Sequence, residues 1–316
     1  MSFIRTVLGD VAPEQLGRCY AHEHLIIDRS YTTQLFPEIH LPSVDNAVRE
    51  LTDFKTAGGG AMVDCLPSDA GRNVEKLAEL SRRSGVHLVA PTGLHRVKFY
   101  PEGHWRFTRG EEQLADLFVD EIERGIDAND CAGPDVRRTP HRAGILKIAS
   151  DGHDLDAAEQ SAFEAVASAH RRTGCPVITH CEASRGAEQV AFLASRGVEP
   201  RHVVLSHTDR HPDPDYHRAL FRTGAYVEYD RVFRAKLDDA NPTLTLFVAM
   251  VKEFPDQVML GTDGARPSYW RSYGGGPGLD YLLREFSERA RKQGVTDAEL
   301  EKVFVKNPAR AYAFRR

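Results

Sequence analysis

The chain has 316 residues, 41% hydrophobic and 28% charged, with 41 basic against 46 acidic side chains for a net charge of −5. That mild acidic balance excludes a polybasic nucleic-acid or membrane-surface role, and the apolar content suffices for a large core. Five dispersed cysteines (Cys19, Cys65, Cys131, Cys175, Cys181) with no CxxC pair point to reduced thiols in a cytoplasm rather than a disulfide framework. The opening Met1-Ser2-Phe3-Ile4-Arg5 lacks the apolar core of a secretion signal, and no apolar run is long enough to cross a bilayer.

Short apolar runs alternate with amphipathic segments along the chain. Strands are predicted at 17–24, 61–66, 87–92, 143–149, 176–181, 203–207, 226–230 and 258–262. Between them, helices are predicted at 45–57, 73–84, 111–125, 155–173, 186–196, 213–223 and 242–253. Gly58, Gly85, Gly174, Gly197 and Gly224 each stand where a helix needs a left-handed terminating residue. An eighth helix is expected over 277–293, and Thr296-Asp-Ala-Glu299 reads as a capping box opening a last one toward Asn307-Pro308.

Eight βα units in series, with no Pro/Ser/Gly linker, predict an α/β fold: a (β/α)8 TIM barrel forming one domain over residues 1–316. A doubly wound open sheet is the alternative, but no GxGxxG or Walker motif follows an early strand. The 95–142 connection is unusually long and rich in aromatic and arginine residues (Phe99, Tyr100, Trp105, Arg106), which suggests a loop over the barrel mouth.

Barrel chemistry sits at the carboxyl ends of the strands. The first strand ends in His22-Glu23-His24; alternate side chains of an extended chain face one way, and two converging imidazoles suit a divalent metal. With fourteen histidines present, one such pair carries little weight by itself. The other strand ends add Lys147, His180, His207 and Asp263. A single strand-end histidine is more often a hydrogen-bonded rim residue than a ligand, but six such positions on one rim point to a metal site. Lys147, inside an apolar run, either pairs with a carboxylate or, as a neutral amine, adds carbon dioxide to give a carbamate able to bridge two metals.

This set of residues resembles the phosphotriesterase-related branch of the amidohydrolase superfamily. The resemblance covers essentially the whole chain, including Thr179-His-Cys-Glu-Ala-Ser184 and Asn307-Pro-Ala-Arg310. It implies two divalent metal ions, zinc by type. His22, His24 and Asp263 would hold one, His180 and His207 the other, with N6-carboxylated Lys147 and a hydroxide between them. Asp263 would also shuttle the proton, and a homodimer is the expectation.

The stretch after the eighth strand, from Asp263 to Gly278, offers Arg266, Tyr269, Arg271 and a run of glycines, while Arg231, Arg234 and Lys236 follow the seventh. Such loops commonly bind phosphate, so a basic cluster on an acidic protein suggests an anionic small-molecule substrate. Arg266, Tyr269, Lys236 and Arg231 are the candidate contacts. Asp263-x-x-Arg266-x-x-Tyr269 with a lysine in the preceding loop resembles the members that hydrolyse phosphorylated sugar lactones. The organophosphate-hydrolysing members carry an Asp-His relay on strand seven, where this chain has Asp230-Arg231. The alternatives are an organophosphate triester hydrolase, a hydrolase of uncharged lactones or carboxylic esters, and a non-catalytic metal-binding barrel.

Overall fold

Eight parallel strands make the barrel. In the computed structural model, which describes residues 2–133, 135–151, 155–181 and 184–315, they are β1 (Arg18–Glu23), β2 (Gly59–Asp64), β3 (His87–Val89 continuing as Pro91–Gly93), β4 (Ile145–Ala149), β5 (Val177–His180), β6 (Val203–Ser206), β7 (Tyr226–Tyr229) and β8 (Val258–Leu260). Each pairs in parallel with its neighbours from β1 to β8. The ring closes where the Thr262 and Asp263 amides both donate to the carbonyl of His22 at 3.2 Å. An antiparallel hairpin, Ile4–Thr6 with Gly9–Val11, precedes it.

The connecting helices are α1 (Val44–Thr56), α2 (Val74–Ser84), α3 (Glu111–Glu123), α4 (Ala157–Thr173), α5 (Gly186–Ser195), α6 (Pro214–Arg222) and α7 (Pro242–Glu253). The five glycines expected to end helices all have positive φ, between 67° and 93°. The eighth connection differs from expectation. Its helix begins at a π-turn, Leu282–Phe286, and continues as Ser287–Lys292, because the chain from 274 to 280 is folded as a loop. The Thr296/Glu299 capping box is formed, and the last helix passes through a π-turn (Lys302–Lys306) to Asn307–Ala311, beyond its expected end. Among the described residues no helix is long and apolar enough to cross a membrane, and the five cysteines are free.

Two apolar layers hold the barrel. The larger lies between sheet and helices. The smaller fills the barrel itself: Cys19, Ala61, Val63, Val89, Ile145, Ile178, Val204, Tyr226 and Met259, closed below by Tyr312, whose hydroxyl donates to the carbonyl of Ala21 at 2.8 Å. Because side chains alternate across a strand, the residue two positions beyond each inward apolar one also points inward, one layer higher. Lys147 follows Ile145, His180 follows Ile178 and Glu228 follows Tyr226 in this way. The apolar plug thus sets the floor on which the polar layer stands.

Of the 95–142 connection, His95, Arg96 and Phe99 reach the cavity at the mouth. The rest divides into two short turns, the ordinary helix α3, and a return segment tied down by Arg72. That buried guanidinium bonds Glu121 of α3 and Asp130 of the return segment, each at 2.8 Å. Trp105 bonds Asp69 and Arg106 is buried behind Tyr100, so both brace the loop from within rather than facing the cavity.

Candidate metal centre

His22, His24, Lys147, His180, His207 and Asp263 line one cavity of 160 Å³ at the carboxyl end of the barrel. None is more than 8% exposed. Two of the strands reach this geometry by breaking the alternation. In β1, Cys19 and Ala21 point into the barrel, so regular pleating would send Glu23 inward. The pairing with β2 slips between Tyr20 and Glu23, and that irregularity turns His22 and His24 to the cavity instead. Glu23 then faces β8, where its carboxylate accepts from the Thr262 amide at 2.8 Å and hydroxyl at 2.7 Å. The two ligand-bearing ends are stapled together by the residue between the histidines. In β6, Val204 and Ser206 are the inward positions, and regular pleating would turn His207 out. A left-handed φ of 60° rotates it back. Asp263 has φ 45°. Non-glycine residues in this region cost about 1–2 kcal/mol each and gather at functional sites.

The imidazole rings meet edge-on or tilted, with centroids 5.4 Å apart for His22–His24, 4.7 Å for His22–His207 and 4.1 Å for His180–His207. Two inward carboxylates of β7 and its end hold their outer edges. Glu228 Oε1 lies 2.6 Å from His22 Nδ1, and Asp230 Oδ1 lies 2.9 Å from His207 Nδ1 while its other oxygen accepts from the His207 amide. Burial, then the neighbouring Lys147, holds His22 neutral, well below the usual imidazole range; burial, then His207, does the same for His180. Burial would raise the Asp263 carboxyl, but the Arg234 guanidinium, 2.6 Å from its Oδ2, brings it well below the usual carboxylate range.

This donor set fits a metal pair. His22, His24 and Asp263 bring one donor atom each within 4.8 Å of one another, as do His22, His207 and Asp230. His24 Nε2 lies 3.4 Å from Asp263 Oδ1, so these two donors face each other with room for an ion to share them. Lys147 Nζ has one hydrogen bond, 3.4 Å to Ser206 Oγ, and no salt bridge among the described residues. The simple ion-pair reading of a buried lysine is therefore not realised. His180 and His207 have no third His, Cys, Asp or Glu donor grouped with them among the described residues, so a second ion there depends on Lys147.

The substrate-side expectations divide. Arg266 lines the cavity. Tyr269 does not; its ring carries the Arg234 guanidinium at 5.0 Å and braces that arginine. Arg231 lies outside the lining, with its amide on Asp209 at 3.0 Å. Lys236 also lies outside the lining: its side chain is 88% exposed and paired with Asp238 at 2.9 Å, because the turn Val232–Arg234 points Arg234 inward and carries Lys236 out. Arg96, Arg210 and His95 line the cavity without having been singled out, and Arg234, named only as part of the basic cluster, lines it too. Arg210 stands three residues past His207, and His95 two past β3, so both were within reach of the strand-end logic. Glu228 was legible too, at period two from Asp230. Glu182 and Ala183, within the 179–184 stretch, lie outside the described residues.

The family comparison decides the class: the phosphotriesterase family matches residues 2–312. The chain belongs to the phosphotriesterase family. Within that family, the phospho-furanose lactonase of Mycoplasmopsis synoviae is 30% identical over 99% of this chain and 92% of its own. Among solved structures, the lactonase Lmo2620 from Listeria monocytogenes has a TM-score of 0.90 at 29% identity, covering 99% of this chain and 100% of that one. The phosphotriesterase homology protein from Escherichia coli, complexed with phosphate in its active site, has a TM-score of 0.85 at 30% identity, covering 94% and 99%. This member of the family is a hydrolase of small molecules, built on the (β/α)8 barrel.

Proposed function

We propose that residues 1–316 act as one cytoplasmic, metal-dependent hydrolase domain that opens the ring of a phosphorylated, furanose-type sugar lactone. The observation that carries this reading is the company the arginines keep. Arg210, Arg234 and Arg266 line the same cavity as the four strand-end histidines, Lys147 and Asp263, so an anionic group and a reacting centre are accommodated together. The phospho-furanose lactonase name of one relative and the phosphate bound by another support the same chemistry.

His22, His24 and Asp263 would hold one divalent ion and His180 and His207 the other, with carboxylated Lys147 between. Zinc suits these donors, and such a pair supplies an acidified water and a polarised carbonyl. The chain's own groups do the rest. Asp263 takes the proton released as water adds to the carbonyl carbon and delivers it to the ring oxygen as the carbon–oxygen bond breaks. Arg234, on the Asp263 carboxylate, keeps that base ionised between turnovers. Arg266 and Arg210 grip the terminal phosphate and so orient the ring; Phe99 and Ile27 supply apolar cover. Lys236 and Arg231 contribute rim charge, and Tyr269 acts through Arg234.

The test is a panel of phosphorylated lactones, the same lactones without phosphate, and an organophosphate triester, each assayed before and after chelation. Phosphorylated lactones should be the best substrates, with activity lost on chelation and restored by zinc. Arg266→Ala should raise KM for them roughly 10–100-fold, the loss of one charge-assisted contact, and leave plain lactones unchanged. Equal losses on both, or activity that survives chelation, would overturn the reading.

A further inference from the structure

The proton positions on the cavity histidines separate them into two chemical kinds. A neutral imidazole carries one N–H and one lone pair, and the partner of one nitrogen determines what the other can do. His207 Nδ1 faces the Asp230 carboxylate at 2.9 Å, and a carboxylate accepts. The proton is therefore on Nδ1, and Nε2 presents a lone pair, as a metal ligand must. His95 has the opposite arrangement. Its Nδ1 accepts a hydrogen bond from the Arg96 amide at 2.7 Å. That nitrogen carries no proton, so in the neutral ring Nε2 is the N–H and has no lone pair for an ion.

His95 is also held more firmly than a loop residue needs to be. Its amide donates to the Tyr100 hydroxyl oxygen at 2.8 Å, and that hydroxyl donates to the Ser68 carbonyl at 3.0 Å. Its carbonyl accepts from Arg106 at 2.7 Å, and Phe99 packs on the ring with centroids 4.0 Å apart. The ring lines the cavity 5.3 Å from that of His180, and no partner for its Nε2 is present among the described residues. The buried aromatic loop and its arginine thus serve to fix one N–H at the edge of the metal centre.

We propose that His95 is a substrate-contact residue and not a fifth histidine ligand: its Nε2–H donates a hydrogen bond to the ester group of the bound lactone. This rests on the lactone reading above for the identity of the acceptor, and on the tautomer for the sign of the interaction. An uncharged donor beside His180 stabilises negative charge as it develops on the carbonyl oxygen, without adding charge to the resting site.

Two measurements test it. In protein labelled with nitrogen-15 on histidine, the His95 signals should be those of an Nε2–H ring, with zinc bound and without. An Nδ1–H ring would overturn the proposal and needs no variant. The second measurement compares His95→Phe, which keeps a ring but loses the donor, with His95→Gln, which keeps a donor. His95→Phe should lower kcat on the lactone 10–100-fold with KM changed less than threefold, and His95→Gln should recover most of that loss. Both variants should retain the wild-type metal content. A lost ion in His95→Phe would make His95 a ligand, and kcat within twofold of wild type would remove it from the reaction. Wild-type protein inactive on every lactone would instead sink the lactone reading and the acceptor named here, a result distinct from either failure of the variants.

Discussion

Glu228→Gln separates metal binding from folding, because the structure assigns the two opposite signs. Glu228 is fully buried on β7 and meets His22 Nδ1 at 2.6 Å. With an ion on His22 favouring the ionised carboxylate, replacing that carboxylate by an amide removes a buried charge-assisted bond, about 1.5–3 kcal/mol by the usual scale. For an outer partner of a ligating histidine that corresponds to a roughly 10–100-fold loss of metal affinity. Folding runs the other way. Burial, then the neighbouring Asp230 charge, pushes the Glu228 carboxyl well above the usual carboxylate range, and its Oε2 has no partner. An acid whose folded pKa is raised binds more protons folded than unfolded, so at neutral pH it weakens the metal-free protein. The amide should leave the metal-free protein as stable as wild type or raise its Tm by about 2–4 °C, the equivalent of ~1 kcal/mol for a chain of this size. Chelator competition reads the affinity, and thermal unfolding with and without chelator reads the stability. Unchanged affinity, or a metal-free Tm that drops by several degrees, would show that Glu228 only props the barrel and would refute the reasoning.

Asp263→Asn should lower kcat by about 10²–10⁴-fold on the preferred lactone, the usual worth of a positioned proton carrier, and near-wild-type turnover would end its assigned role. Gly93 sits at φ 114°, and a Cβ there would fall 1.9 Å from the carbonyl of Lys147. Gly93→Ala should therefore force β3 and β4 apart and cost on the order of 3 kcal/mol in urea unfolding, whereas a change under about 0.5 kcal/mol would mean the strands adapt freely. His202 is buried with neither ring nitrogen partnered, and burial, then His170, lowers its pKa from 6.5 to about 4. Its folded pKa lies below the unfolded one, so stability is complete above about pH 6.5 and is lost as pH falls toward 4. Discounted for partial solvent contact, the loss by pH 5 is about 1–2 kcal/mol. His202→Leu should raise the urea midpoint of metal-free protein more at pH 5 than at pH 7.5, and an equal shift at both would contradict the assignment.

The barrel and its six rim residues were legible because both signals are local. Strand periodicity and helix caps read off short windows, and a ligand at the end of a strand needs no knowledge of the partner strand. The expected strand positions overlap all eight observed barrel strands, and the expected six line one cavity. The eighth helix was placed too early because Pro277 suits a first helical turn as well as the loop it actually joins.

What the amino-acid order determined by itself is therefore the set of chemical groups and the end of the barrel on which they stand. What tertiary structure decided is their direction. A slip in the β1–β2 ladder turns His22 and His24 inward, and a left-handed φ does the same for His207. A short turn sends Arg234 to Asp263 and Lys236 to solvent. Each departs from the regular alternation that a sequence can be read by, and each is held by contacts from strands or loops distant along the chain. The pattern of residues sets which atoms arrive; only the closed barrel, with its irregularities, sets which way their lone pairs and protons face.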